Sequence, residues 1–421
     1  MMSPSVSRLA LAIGLTITTS SALAGAQAFQ TARSLAMGGT GVAVAHPAGA
    51  NVSNPAMLAA DQHSWSDDFG LILPSVNARF ADEEETIDQI DDIQGTIDRF
   101  QTIDKNSSPQ EARDAAGQLR QQLNEFDKDT VRVDAGLGVS LAVPTDGLAV
   151  GVFTSASLRA TVRGEFDQDD EQFLRNLETA STADLLQADL DRDLQSRGRI
   201  LASAVGEVGI SFARAIELNN GERLQLGISP KYVQMRTFQY TETVSGFEDG
   251  NFDASDSETE KSGFNFDLGV AYAFGDAKQW NAGLAVRNVI PMELDSAANR
   301  PELGERKRTY ELGPQATAGI AHRGDFHVVT AELDLTENQA FGFEDDTQWL
   351  AVGAEFDAFR FAQLRLGARQ NLASNDDSRG VEESTQFTFG VGLAPFGARL
   401  DVAGLVSDAD VGAAIELGAA F

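Results

Sequence analysis

The chain has 421 residues, 63 acidic side chains against 32 basic ones, and a formal charge of −31, which argues against direct nucleic-acid binding because phosphates require a basic surface. It has no cysteine, so disulfides, thiolate metal sites, cysteine nucleophiles and a lipoprotein anchor are all excluded. The acidic excess suits solvated loops facing a salty medium, with divalent cations bridging them to anionic lipopolysaccharide as the alternative.

The first 24 residues (1–24) read as a secretory signal. Arg8 supplies the positive start, Leu9 to Ile17 the short apolar stretch, and Ala22-Leu23-Ala24 an A-x-A cleavage site before Gly25. That run is too short to span as a helix, and no later stretch reaches the roughly 18 uninterrupted apolar residues a spanning helix needs. If this chain lives in a membrane, it does so as a barrel.

Residues 25–64 precede the first expected strand. They contain Ala32-Arg33-Ser34-Leu35-Ala36-Met37-Gly38-Gly39-Thr40-Gly41 and then Asn51-Val52-Ser53-Asn54-Pro55-Ala56. Gly38, Gly39 and Gly41 permit close backbone approach and positive φ in a crowded interior, and Asn54-Pro55 makes a rigid turn. No Gly-Lys-Ser or Gly-Lys-Thr follows, so these glycines do not read as a phosphate loop.

From residue 65 onward, apolar and small or polar residues alternate, as a wall between lipid and lumen requires. In Val131 to Val143 the odd positions are Val131, Val133, Ala135, Leu137, Val139, Leu141 and Val143, against Arg132, Asp134, Gly136, Gly138 and Ser140. Leu148, Val150, Val152, Leu158 and Val162 likewise oppose Gly151, Ser155, Ser157, Arg159 and Arg163. Phe264, Phe266, Leu268, Val270, Tyr272 and Phe274 oppose Asn265, Asp267, Gly269 and Ala271. Fourteen strands are predicted, near 65–80, 131–143, 148–163, 201–217, 223–241, 262–275, 279–291, 312–323, 325–337, 347–358, 361–372, 384–395, 398–407 and 411–421. Pro74 implies a bulge or offset in the first. The last strand alternates Val411, Ala413, Ile415 and Leu417 with Gly412, Ala414 and Glu416 and finishes on Phe421, resembling the terminal signature of bacterial outer-membrane proteins.

Connections after even-numbered strands are short: Pro144-Thr145-Asp146-Gly147, Asn219-Asn220-Gly221, Gly275-Asp276, Arg323-Gly324-Asp325, Ala358-Phe359 and Phe396-Gly397. Those after odd strands are mostly long, the pattern of periplasmic turns and extracellular loops. Two long loops have helical periodicity. Residues 84–128 carry Ile87, Ile90, Ile93, Ile97, Phe100 and Ile103, then a second helix with Ala112, Ala116, Leu119, Leu123 and Phe126, for which Ser108, Pro109 and Glu111 predict a capping box. Residues 165–200 repeat the idea with Phe173, Leu174, Leu177, Leu185, Leu186 and Leu194; self-packing of these stripes is the simpler expectation than a partner surface.

The opening segment, with Arg33, Met37, Gly38 and Gly39 followed by Asn54 and Pro55, resembles that of the conjugal-transfer TraF-type barrel proteins, which are related to the long-chain fatty-acid transporter-like barrels. The resemblance implies an amino-terminal segment folded into the lumen of a fourteen-stranded barrel, in agreement with the independent strand count. Motif similarity is confined to the amino-terminal 35 residues or so; beyond them it is architectural. A thioredoxin-like periplasmic family shares the TraF name, and the absence of C-x-x-C excludes its redox-active form. The expected architecture is thus all-β: a transmembrane antiparallel barrel over 65–421 with a lumenal plug at 25–64 and helical extracellular insertions.

Enzyme motifs are weak, and neither a catalytic site, a cofactor nor a metal is expected. His322 and His327 flank the turn at Gly324 and read as a rim pair. Asp189, Asp191 and Asp193 start a calcium-loop spacing, but Leu194 and Ile200 stand where Gly and Glu are needed. No G-x-S-x-G occurs. Arg132, Asp134, Arg159, Arg163, Asn265, Asp267, Glu332, Asp334, Arg365, Arg369, Arg399, Asp401 and Glu416 fall on lumenal faces. Ion pairs holding wall to plug are their simpler reading, and a polar solute path or ligand site the functional one. The expected setting is the outer membrane of a Gram-negative bacterium, in contact with its lipid and lipopolysaccharide. Two roles compete: association with conjugation or secretion apparatus proteins, implied by the resemblance, and passive uptake of a hydrophobic small molecule.

Overall fold

The structure is a computed structural model that describes residues 29–60, 69–82, 85–143, 145, 147–218, 222–246, 254–358, 361–375, 380–395 and 397–420. The expected signal at 1–24, the turn residues Pro144, Asp146, Asn219, Asn220, Gly221, Phe359 and Phe396, and the terminal Phe421 lie outside the described residues.

The strands, in chain order, are β1 Phe69–Asp82, β2 Thr130–Val143, β3 Ala149–Glu165, β4 Arg197–Glu217, β5 Arg223–Thr243, β6 Glu258–Phe274, β7 Trp280–Arg287, β8 Met292–Asp295, β9 Thr309–Leu312, β10 Gln315–Arg323, β11 His327–Asp334, β12 Trp349–Ala358, β13 Ala362–Asn371, β14 Thr385–Leu393, β15 Ala398–Val406 and β16 Asp410–Ala420. Fourteen of them, all except β8 and β9, close into one antiparallel barrel, with β1 pairing to both β2 and β16. Closure removes the unpaired edge that would otherwise have to be satisfied inside a bilayer. The register of β1 slips between Ile72 and Ser75 against both neighbours, around Pro74, which has no N–H to give a ladder.

The outer face carries a continuous apolar belt. In β6, Phe264, Phe266, Leu268 and Val270 are exposed, Leu268 at 41%, while Asn265 and Asp267 between them are 0% and 4% exposed. Leu137 and Leu141 of β2, Phe387 and Phe389 of β14, and Ile415 and Leu417 of β16 continue it. An apolar surface circling the whole wall is incompatible with water and fits a hydrocarbon layer. No described helix is long and apolar enough to cross a membrane. Tyr272, Phe274 and Trp280 stack in sequence near the short-turn end, and Trp280 meets His322, which stacks in turn on His327. The two histidines therefore belong to an aromatic rim on the outer wall.

The wall is lopsided. Strands β4 and β5 have 21 residues each, roughly 70 Å of extended chain, whereas β7 and β11 have 8. The tall side carries a helical module: Thr86–Thr102 and Pro109–Phe126 from the first long loop pack on Gln168–Leu177, Thr182–Leu185 and Leu190–Asp193 from the second. Ile93, Ile97, Phe100, Leu119, Leu123, Leu174, Leu177, Leu185 and Leu194 form one core, so the apolar stripes of the two loops satisfy each other; of the named stripe residues, Ile87 lies outside this core and Leu186 is exposed. The expected capping box at Ser108 is absent: its backbone is off the usual cap geometry and its hydroxyl makes no cap bond, while Pro109 still opens the helix. A capping box does form at Ser181 and Asp184.

Two strand expectations need correction. The seventh strand stops at Arg287, because Asn288 takes a left-handed φ of 53° and Pro291 follows. The eighth does not run from 312: Gly313 and Pro314 break it, and Leu312 belongs to a separate hairpin, β8 with β9, which the sequence reading left as loop. That hairpin turns Met292, Leu294, Tyr310 and Leu312 onto Leu201, Val205, Val233 and Met235 of the barrel wall, together with Phe341 and Phe343 from the β11–β12 loop.

Candidate functional site

Residues 29–60 lie inside the barrel as two short helices, Ala32–Ala36 and Pro47–Ser53, and a 3-10 turn, Pro55–Ala59. The wall receives this plug on glycines. A Cβ built on Gly269 would lie 2.0 Å from Asn54 Oδ1, one on Gly227 2.3 Å from Ala56 N, one on Gly283 2.4 Å from Val42 O and one on Gly367 2.2 Å from Gly38 N. The small lumenal residues that alternate with the lipid-facing ones thus let the plug backbone approach the wall. On the plug side, Gly38 (φ 77°) and Gly39 (φ 88°) make the left-handed turn that L side chains resist, whereas Gly41 is needed for room beside Ser53.

Polar contacts hold the plug in place. Arg33 donates through Nε and Nη2 to the Glu355 carboxylate at 2.8 and 3.0 Å, and through Nη1 to Val44 O at 2.6 Å. Glu355 also accepts from Arg365, which continues to Asp401 and so to Arg399. The amides of Gly41, Val42 and Ala43 converge on the Glu332 carboxylate at 2.7 to 3.2 Å, a cradle of backbone dipoles in place of a cation. Glu416 accepts from Ala32 N at the start of the first helix. Asn51 donates to Ser140 at 2.7 Å, and Asn54 donates to Val42 O and Val270 O while its own oxygen caps Ala56 N. Met37 is fully buried, its carbonyl and Cβ packed where Gly353 leaves room.

The opposite end of the lumen is closed by different groups. Arg79, Arg132 and Arg159 face Asp134, Asp410, Glu344 and Glu383 in one buried network. Arg132 donates to Glu383 at 2.7 Å and to Asp410; Arg159 donates to Asp134 at 2.5 Å. Glu344 and Glu383 come from the long β11–β12 and β13–β14 connections, so the network ties two inward-folded loops to the wall. Burial alone would raise the Glu383 carboxyl, but Arg132, Arg79 and Arg159 together hold it well below the usual carboxylate range. Burial pushes Glu344 up, with Arg159 and Arg132 opposing. Elsewhere in the lumen, Lys231 bridges Glu207 and Asp267 at 2.7 and 2.9 Å, and Asn265 donates to Ile290 O.

The structure therefore places Arg132, Asp134 and Arg159 in the loop-end network, Arg365 and Glu416 beside the plug, and Asn265 and Asp267 against the segment after β7. Arg79, Glu207, Lys231, Glu344, Glu355, Glu383 and Asp410 join these networks and were not singled out from sequence. Arg79 and Glu355 share the lumenal parity of their strands and were findable by counting; Glu344 and Glu383 lie in loops with no such signal.

Between plug and loop-end closure is a chamber of about 130 Å3, lined by Gln30, Ser34, Thr317, Asp334, Trp349 and Arg369 among others. A separate, smaller cavity of about 40 Å3 is lined by plug residues together with Ile72 and Glu416 of the wall. Among the described residues no cluster of three or more His, Asp or Glu is arranged to hold a metal ion.

A closed fourteen-stranded wall with an apolar exterior, a charged lumen and an internal plug defines a plugged transmembrane β-barrel. The model of the family described as "F plasmid transfer operon, TraF, protein" matches residues 51–334, more than half of the 421 residues, and the chain belongs to that family. The matched region includes Asn54 and Pro55 but not the 32–41 motif. A mutant of the monoaromatic hydrocarbon channel TodX is similar in fold, with a TM-score of 0.55 at 13% identity over 94% of this chain and 100% of that one. The monoaromatic hydrocarbon channel CymD gives 0.50 at 13% identity over 93% and 98%, and the Pseudomonas putida toluene transporter TodX gives 0.50 at 11% over 93% and 99%. These similar structures are channels and transporters. No curated protein sequence matches the chain.

Proposed function

We propose that this chain is a non-enzymatic, plugged channel of the Gram-negative outer membrane, exported by a cleaved signal at 1–24, with its short turns periplasmic and its helical module outside. The observation that carries the reading is the way the plug is held: by reversible polar contacts and an ion pair against a wall hollowed by glycines, an arrangement that can part without breaking the barrel. Cysteines at 51 and 140, whose native side chains are 2.7 Å apart, should lock the plug when joined by oxidation or a short linker. Swelling of liposomes in arabinose should then be seen with the wild type and the reduced variant and be lost in the locked one. Equal swelling with the plug locked and free, or none in either, would contradict the reading.

The family's description supports a place in conjugal transfer, beside apparatus proteins of the conjugation or secretion machinery, and deletion should then reduce DNA transfer. Kinship in fold with hydrocarbon channels supports instead the uptake of a hydrophobic small molecule, which deletion would reveal as lost growth on an apolar carbon source. The polar lining of the chamber weighs against the second.

A further inference from the structure

Arg369 stands apart from the other lumenal arginines. It projects from β13 into the chamber, is 4% exposed, and has no ion pair with any carboxylate among the described residues. Its Nε donates to Gln386 Oε1 at 2.7 Å and its guanidinium stacks on Trp349 at 4.2 Å, so its plane is fixed, yet Nη2 has no hydrogen-bond partner. A buried guanidinium with an unsatisfied edge is costly unless something else supplies the acceptor.

The chamber's own carboxylates do not supply it. Glu332 is taken up by the three plug amides, and Asp334 accepts from the Thr317 hydroxyl at 2.7 Å and from Trp349 N at 3.1 Å. Arg287, which also lines this space, donates among the described residues to the neutral Gln315 at 3.2 Å. The chamber thus pairs its anions with neutral donors and leaves two guanidinium groups facing a space of about 130 Å3, room for on the order of ten waters or one small solute. Nε is taken by Gln386 and Nη2 is sealed from the space, so a solute meets this guanidinium at Nη1, beside Gly39, where a charge-assisted hydrogen bond suits a carboxylate oxygen. The plug residues Gly38 and Gly39 and the loop residue Thr347 also line the space and limit the bulk it can take.

We propose that Arg369, held by Trp349 and Gln386, is the binding residue of a site for small carboxylate solutes in the chamber between plug and loop-end closure. The access route rests on the channel reading; the site itself does not.

Acetate and its neutral isostere acetamide test this by saturation-transfer NMR on the full-length protein in detergent. Wild type should bind acetate at least tenfold more tightly than acetamide. Arg369→Gln should lose that preference, and Arg369→Lys should keep part of it, in samples that still run as the compact unheated band on SDS gels. Equal signals for acetate and acetamide on wild type, or an undiminished acetate signal in folded Arg369→Gln, would overturn the proposal. If Arg369→Gln does not fold, the wild-type comparison decides alone. Binding is read without any gradient, so a negative result removes the carboxylate site, whereas unchanged flux through a locked plug removes only the channel reading.

Discussion

Replacing Arg33 with Met should loosen the plug without dismantling the wall. The side chain makes two charge-assisted hydrogen bonds to Glu355 and one to Val44 O, all with the plug in place. Glu355 would not be stranded, because Arg365 still donates to it at 2.6 Å. The loss is therefore smaller than for a carboxylate left alone in the interior, and about 3 kcal/mol is a fair figure from the worth of hydrogen bonds to charged groups. At about 1.4 kcal/mol per decade, the population with a displaced plug should rise roughly 100-fold. Recordings in planar bilayers would show this as longer and more frequent conducting periods, and the 51–140 lock should return the variant to the closed level. Wild-type gating in a variant that is folded and inserted would refute the claim that this ion pair holds the plug.

Other perturbations separate wall, lumen and network. Leu268→Arg places a charge in the lipid belt and should reduce stability by about 2 to 4 kcal/mol near the midplane, measured by urea unfolding in lipid vesicles. Gly269→Arg points inward onto Asn54 and Pro55, so it should expel the plug and raise conductance while leaving the barrel assembled on unheated SDS gels. Removing a member of the loop-end network, as in Arg132→Met, leaves Glu383 and Asp410 short of a partner and should lower stability by roughly 3 to 5 kcal/mol in the same unfolding assay. Because the folded-state pKa of Glu383 is depressed, its contribution is present above its ordinary value of 4.5 and is lost as pH falls below it; Glu383→Gln should flatten that acid limb. Glu344, pushed up by burial, acts in the opposite sense and above 4.5, its contribution complete below that value and lost as pH rises through its folded pKa, so Glu344→Gln should remove that decline and leave the acid limb below 4.5 unchanged.

The wall was legible because period-two alternation is unmistakable where one face meets lipid and the other meets water: the ends of β2 and β3 were placed within two residues, and those of β6 within four. What the sequence hid was the set of loop segments that fold back into the lumen. Strands β8 and β9 have 4 residues each, too few for alternation to register. Their apolar partners Leu201, Val205, Val233 and Met235 sit on lumenal positions where polar residues were expected, because a hairpin and not water covers them. Glu344 and Glu383 are anchored by long-range ion pairs, and no local spacing announces a partner some 200 residues away. Ser108 shows the reverse error, a correct local signature overridden by the backbone geometry that enters the helix.

The central claim, a lipid-facing wall around a plugged lumen, is tested most directly by cysteine labelling along β6 in a chain that has no cysteine of its own. A lipid-confined maleimide should react at positions 266, 268 and 270 and spare 265, 267 and 269. A small aqueous maleimide should reach 269 only when residues 29–60 are removed, since Asn54 and Pro55 cover that position. Equal lipid-side labelling of both sets, or labelling of the odd-numbered set alone, would contradict the barrel; aqueous labelling of 269 with the plug intact would contradict the seal.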